Sequence, residues 1–76
     1  MKESELLEEI KETLQRDEDL TLDMKLEDLK EWNSLANISI IALFDQLFEV
    51  VVPADELLKC QTINDLLQLV SDKLEN

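Results

Sequence analysis

The segment from Ser34 to Phe48 constrains the fold of this 76-residue chain more than any other. Ten of its 15 residues are apolar, and its only charged residue is Asp45. Successive residues of a helix are turned by about 100°, and this spacing places most of the apolar side chains on one broad arc. They are Ala36, Ile40, Ile41, Leu43, Phe44, Leu47 and Phe48. The segment therefore predicts a helix that packs this arc against a core, with Asn33 or Ser34 as its N-cap.

Both ends of the chain also carry helical patterns. Near the start, apolar residues recur at helical spacing over roughly residues 3 to 15, with Ser4 available as a cap. They are Leu6, Leu7, Ile10 and Leu14. Near the end, Thr62 and Asp65 have the spacing of a capping box and predict another helix. Its apolar stripe consists of Ile63, Leu66, Leu67, Val70 and Leu74.

Two other segments connect these helices. From Arg16 to Asn33 the helical pattern is lost, and apolar residues alternate with polar ones in the middle of the segment. No second segment resembles a partner strand, so we expect an extended loop held to the core by its apolar side chains. They are Leu20, Leu22, Met24, Leu26, Leu29 and Trp32. After a β-branched run that ends at Pro53, Asp55 is expected to cap a short helix through Lys59.

The sequence thus predicts an all-α fold. We expect a four-helix bundle with three longer helices and one short helix, and a long loop between the first and second helices. No repeat, low-complexity tract or Gly/Ser linker divides the chain, so residues 1–76 are expected to form a single domain.

The charge of the chain limits its partners. The net charge is −12 and the isoelectric point is about 4.1, so the chain should repel nucleic acids and attract basic protein surfaces. The single cysteine, Cys60, cannot form an internal disulfide, and no apolar run is long enough to span a membrane. We expect a cytoplasmic monomer.

Ser34 stands at the start of the most apolar segment, beside the exposed arc of the predicted helix. The backbone N–H groups of a helix N-terminus favour a phosphate, but serine is also a common N-cap. The residues alone leave both interpretations of Ser34 open. The apolar residues Leu35, Ile38 and Ala42 share this arc with Asp45, and we interpret them as a docking surface.

A spaced set of residues resembles the acyl carrier protein family. The set is Asn33-Ser34-Leu35, Phe48, the pair Val52-Pro53, and Thr62. In that family an Asp-Ser-Leu motif opens the second helix, and a phenylalanine, an Ile-Pro-like pair and the cap of the last helix follow at similar spacing. The resemblance covers about residues 26 to 74.

The resemblance implies a function. Ser34 would carry covalent 4′-phosphopantetheine, transferred from coenzyme A by a phosphopantetheinyl transferase, and the arm would hold acyl groups as thioesters. Asn33, Leu35, Ile38, Ala42 and Asp45 would contact partners, which include acyl-transferring or condensing enzymes with basic docking surfaces. The side chains that would line a cavity for the acyl chain are Phe44, Leu57, Cys60 and Leu66.

Asn33 departs from the family pattern, because it keeps the capping ability of the usual aspartate but lacks its charge. Two other functions stay open. One is a carrier of aminoacyl or peptidyl groups. The other is a small acidic interaction module, which would respond to calcium through a loop that lacks the glycine of an EF-hand. That loop contains Asp17, Asp19, Thr21, Asp23 and Asp28.

We do not expect an enzyme, because the chain has no histidine to activate a nucleophile such as Cys60. We also predict no metal site.

Overall fold

The computed structural model describes residues 1–75, and its regular structure is helical. Four α-helices are present, and two isolated β-bridges are the only β-structure among the described residues. The helices are α1 (Glu3–Thr13), α2 (Ser34–Phe48), α3 (Ala54–Leu58) and α4 (Ile63–Gln68). Short 3₁₀ helices cover Leu26–Asp28 and Ser71–Lys73. The predicted all-α fold is confirmed, although two of the α-helices are long and two are short.

Helix α1 differs from its prediction at both ends. Lys2, and not Ser4, occupies the N-cap position, and its backbone N–H donates to Oε1 of Glu5 at 3.0 Å. The helix ends at Thr13 because Gln15 adopts the left-handed conformation, with φ of 57°. The N–H of Gln15 donates to the carbonyl of Glu12, and that of Arg16 to the carbonyl of Lys11, which is the Schellman pattern of a helix end.

Helix α2 has the buried arc that the sequence predicts. Ala36, Ile40, Leu43 and Phe44 are buried. Ile41 and Phe48 are half-buried at one edge of the arc, and Leu47 is half-buried in the last turn of the helix. The helix packs against both α1 and α3. It ends at Phe48 because Glu49 turns into the left-handed region, with φ of 57° and ψ of 38°.

The loop between α1 and α2 is attached to the start of α4 by backbone hydrogen bonds. The N–H of Leu26 donates to the carbonyl of Gln61 at 2.9 Å, and that of Ile63 donates to the carbonyl of Met24 at 3.0 Å. Lys25 and Thr62 form an antiparallel bridge between these bonds. The alternating pattern in the loop therefore reflects a short strand-like pairing, and its partner is the residues that lead into a helix.

Six side chains of this loop hold it to the core, as predicted. Leu20, Leu26 and Leu29 are buried. Leu22, Met24 and Trp32 are partly buried and pack against the same core cluster. Burying a side chain of this size stabilises a fold by about 1.5–3 kcal/mol, so the loop contributes to the stability of the bundle.

The last two helices are short. Pro53, and not Asp55, occupies the N-cap position of α3, and Asp55 lies in its first turn. The capping box of α4 is confirmed, since Oγ1 of Thr62 accepts from the N–H of Asp65 at 3.2 Å. Regular α-helix stops at Gln68, and the chain continues through a turn and the second 3₁₀ helix. The predicted stripe persists across this break, because Val70 is buried and Leu74 packs on the core.

No helix within residues 1–75 combines the length and the apolar character needed to cross a membrane.

Candidate functional site

Ser34 is the first residue of α2, and its neighbour Asn33 provides the cap. Oδ1 of Asn33 accepts a hydrogen bond from the N–H of Ala36 at 2.9 Å, and its carbonyl accepts from the N–H of Asn37 at 3.0 Å. Of the two capping candidates, the structure therefore selects Asn33. Ser34 is an exposed residue at the helix start, and the cap of the first turn is made by Asn33.

The start of α2 is suited to a negatively charged group. The N–H groups of Ser34 and Leu35 precede the first intrahelical acceptors and so have no partner within the helix. The helix dipole adds a partial positive charge at this end, and the first turn of α2 contains no acidic residue. A phosphate on the Ser34 oxygen would thus meet a favourable local field despite the acidity of the whole chain.

An ion pair supports the segment that leads into Ser34. Nη1 of Arg16 lies 3.1 Å from Oε1 of Glu31, and their side chains are only 15% and 28% exposed. The pair connects the end of α1 to the residues just before α2. Sequence reasoning missed it, because the two residues lie far apart in the chain and no local pattern marks them as partners.

A cleft of about 290 Å³ lies between the end of α1 and the start of α2. Thr13, Leu14 and Gln15 line it on the α1 side. Leu35, Ala36 and Ser39 line it on the α2 side, together with Asn33 and Glu31 just before the helix. The cleft therefore adjoins the residues on either side of Ser34.

The predicted docking residues lie on the outer surface of α2. Leu35 is 71% exposed and Ile38 is 65% exposed, which is high for large apolar side chains. Ala42 and Asp45 are also exposed on the same helix. We call these four residues the outer strip of α2. It combines an apolar surface with a single carboxylate, next to the exposed serine.

The chain also matches known proteins. Residues 4–70 match the family model described as "Phosphopantetheine attachment site". An acyl carrier protein of Petrotoga mobilis is 35% identical over an alignment of 79 positions, which covers 97% of this chain and 93% of that protein. This chain belongs to the acyl carrier protein family. No solved structure shows a significant match to it.

Members of the acyl carrier protein family are not enzymes, but carry a covalent 4′-phosphopantetheine group. They interact with phosphopantetheinyl transferases and with enzymes that act on acyl groups. The residues at the start of α2 fit such a group, because an exposed hydroxyl adjoins unpaired backbone N–H groups and no carboxylate of the first turn opposes a phosphate. When bound, the group supplies a thiol that forms thioesters.

The residues predicted to line an acyl cavity belong largely to the core. Phe44, Leu57 and Leu66 are at most 1% exposed. Cys60 is half-buried, and its thiol lies 3.6 Å from the carbonyl oxygen of Glu56, to which it donates. Burial, followed by the negative charges of Asp65 and Glu56, raises the pKa of the Cys60 thiol, which keeps it protonated at neutral pH.

Two acidic residues of the loop after α1 interact with different partners and do not converge on a common point. Asp19 pairs with Nζ of Lys11 at 2.8 Å, and Oδ1 of Asp23 accepts from the hydroxyl of Thr21 at 2.7 Å. Within residues 1–75, no three histidine, cysteine or acidic side chains are grouped as metal ligands. The geometry thus offers nothing that favours the calcium-responsive module.

Proposed function

We propose that this acyl carrier protein holds acyl groups as thioesters on a 4′-phosphopantetheine arm attached to Ser34, and presents them to biosynthetic enzymes. One observation supports this proposal above all: Asn33 caps α2, which leaves the exposed Ser34 hydroxyl free at the helix start. A serine that served only as an N-cap would have its oxygen turned toward the N–H groups of the first turn.

The attachment forms one bond and breaks another. The Ser34 oxygen forms a bond to the phosphorus next to the pantetheine, which becomes a phosphodiester. The pyrophosphate P–O bond of coenzyme A breaks, and adenosine 3′,5′-bisphosphate leaves. The proton of the hydroxyl passes to a base of the transferase, because the chain contains no histidine and the first turn of α2 contains no carboxylate. The chain itself contributes an accessible oxygen and the N–H groups that stabilise the phosphate.

The outer strip of α2 would bring the carrier to its partners. A partner with a basic rim would attract the acidic chain, and Leu35 and Ile38 would be buried at the contact. Asn33 would lie at the edge of this contact, where it offers an uncharged side chain. This arrangement favours partners that do not depend on a carboxylate immediately before the serine.

Acyl cargo is favoured over aminoacyl or peptidyl cargo because the matched relative from Petrotoga mobilis is an acyl carrier protein. The apolar interior around Phe44, Leu57 and Leu66 is also compatible with a hydrocarbon chain. Cargo that enters this interior would stabilise the fold by about 0.8 kcal/mol for each buried methylene. Comparison of the melting temperatures of the acylated and unacylated carrier measures this contribution.

Intact mass spectrometry tests the attachment site. After incubation with coenzyme A and a broad-specificity transferase, the protein should gain about 340 Da at one serine. The gain should disappear in Ser34→Ala and persist in Ser39→Ala, a serine one turn further along α2. A gain that persists in Ser34→Ala would disprove the site. Mass analysis of the thioester on protein from its natural host would distinguish acyl from aminoacyl cargo.

A further inference from the structure

Asn37 has a buried polar atom without a partner. Among the described residues, Oδ1 of Asn37 accepts no hydrogen bond, although the atom is shielded from solvent. The backbone N–H of the same residue is used normally, because it donates to the carbonyl of Asn33 at 3.0 Å. Buried side-chain acceptors are nearly always paired with protein groups, water or a ligand, and the described part of the chain supplies no partner for this one.

The position of Asn37 places this acceptor beside Ser34. Residues three apart on a helix are neighbours, with Cβ atoms about 5–6 Å apart. The flank of α2 that faces the end of α1 carries Leu35, Ala36 and Ser39, which line the shared cleft. Around the helix axis, Asn37 lies about 100° beyond Ala36. This rotation moves it away from the flank that faces α1 and closer to the side of the exposed Ser34. It therefore lies on the border between the core arc and the attachment site.

The interior that would accept cargo lies beyond this border. Phe44 of α2 and Leu57 of α3 are buried, and α3 packs against α2. At about 100° per residue, Asn37 lies between Ser34 and Phe44 on the surface of α2, so an arm that folds back along the helix toward Phe44 would pass it. Its first polar groups after the phosphate are a hydroxyl and an amide, and both have a proton to donate. A buried carbonyl oxygen without a partner matches these donors.

We infer that Asn37 is the anchoring residue for the inward-folded arm, and that its Oδ1 accepts a hydrogen bond from the hydroxyl or the first amide N–H of the phosphopantetheine. This inference rests on the proposed attachment at Ser34. The hydrogen bond satisfies an acceptor that is otherwise unpaired, and so it favours the inward position of the arm over a position in solvent. Asn37 thereby influences whether cargo is sheltered or presented.

Nuclear magnetic resonance of the loaded wild-type protein tests the anchor. The first arm amide should exchange its proton several-fold more slowly than the same amide of free phosphopantetheine. The protection should be lost in Asn37→Ala, and should remain in Ser39→Ala, which removes a polar group from the other flank of α2. The side-chain amide signals of Asn37 in the wild-type protein should also shift on loading, a measurement that does not require a folded variant.

The possible failures are distinguishable. If mass spectrometry shows a loaded Ser34 but both the hydroxyl and the amide of the arm exchange as in solution, the anchor is wrong and the attachment stands. Protection that survives Asn37→Ala in a folded protein would equally disprove the anchor. If Ser34 cannot be loaded at all, both the attachment and the anchor fail.

Discussion

Oδ1 of Asn33 lies 2.9 Å from the backbone nitrogen of Ala36 and accepts its hydrogen bond. Asn33 is therefore the N-cap of α2, and the exposed Ser34 is the first residue of the helix. The capping role and the candidate attachment role thus belong to two adjacent residues, each of which can be changed without the other.

Replacement of Asn33 by alanine should destabilise the fold. The substitution removes the acceptor for the Ala36 N–H, and loss of such a cap costs about 0.5–2 kcal/mol. Urea denaturation measures the free energy of unfolding. Asn33→Asp is the matched control, because it keeps an acceptor at the same place and should retain most of the stability. Equal losses in both variants would contradict the capping role.

Replacement of Asp45 by asparagine should slow loading by a basic transferase. Asp45 is the only carboxylate on α2, and an exposed charge pair contributes about 0.2–1 kcal/mol, so kcat/KM should fall by up to about fivefold at low salt. The loss should diminish as salt rises, because exposed charges are then screened.

The control for this substitution is Asp72→Asn, which removes an exposed charge from the 3₁₀ helix near the end of the chain. It changes the net charge equally. If both variants reduce kcat/KM alike, the net charge and not the outer strip of α2 guides the transferase.

Replacement of Glu49 by glycine should stabilise the protein. Glu49 adopts φ of 57°, where a residue with a side chain is strained. Glycine relieves a backbone strain of about 1–2 kcal/mol and costs about 0.5–1 kcal/mol through its greater freedom in the unfolded chain, so the midpoints of these ranges give a net gain of about 0.75 kcal/mol. The melting temperature should therefore rise by several degrees. Glu49→Ala removes the same carboxylate but keeps the strain, so it should give no such rise.

The contribution of Asp65 to stability should depend on pH. Its carboxylate accepts hydrogen bonds from the N–H groups of Gln61 and Thr62, and these bonds lower the pKa of Asp65 below its ordinary value of 3.8. Because the folded pKa is the lower one, the stabilisation is complete well above pH 3.8 and is lost as the pH falls through the folded pKa.

Thermal denaturation of the wild-type protein and Asp65→Asn across this range measures the effect. The difference in melting temperature should be largest at neutral pH and should shrink in acid. Asp72→Asn, an exposed acid outside the capping box, should show no comparable convergence. A difference for Asp65→Asn that stays constant down to pH 2 would contradict the role of its charge, since below pH 3.8 the unfolded chain binds a proton at Asp65 more readily than the folded protein does.

The sequence by itself determined the features that depend on residues close together in the chain. The apolar arc of α2, its end at Phe48 and the capping box of Thr62 with Asp65 follow from helical spacing and from side chains that reach the next turn. The motif around Ser34 and the residues spaced after it were also sufficient to predict the family.

Only the tertiary structure decided the features that join distant segments. The loop residues Met24 to Leu26 pair with the backbone that leads into α4, and Arg16 pairs with Glu31. No local pattern specifies such partners, because they are brought together by burial of the core and by the need to satisfy backbone groups. Helical spacing places Asn37 at the border of the core arc, but only the packing shows that its Oδ1 has no partner among the described residues.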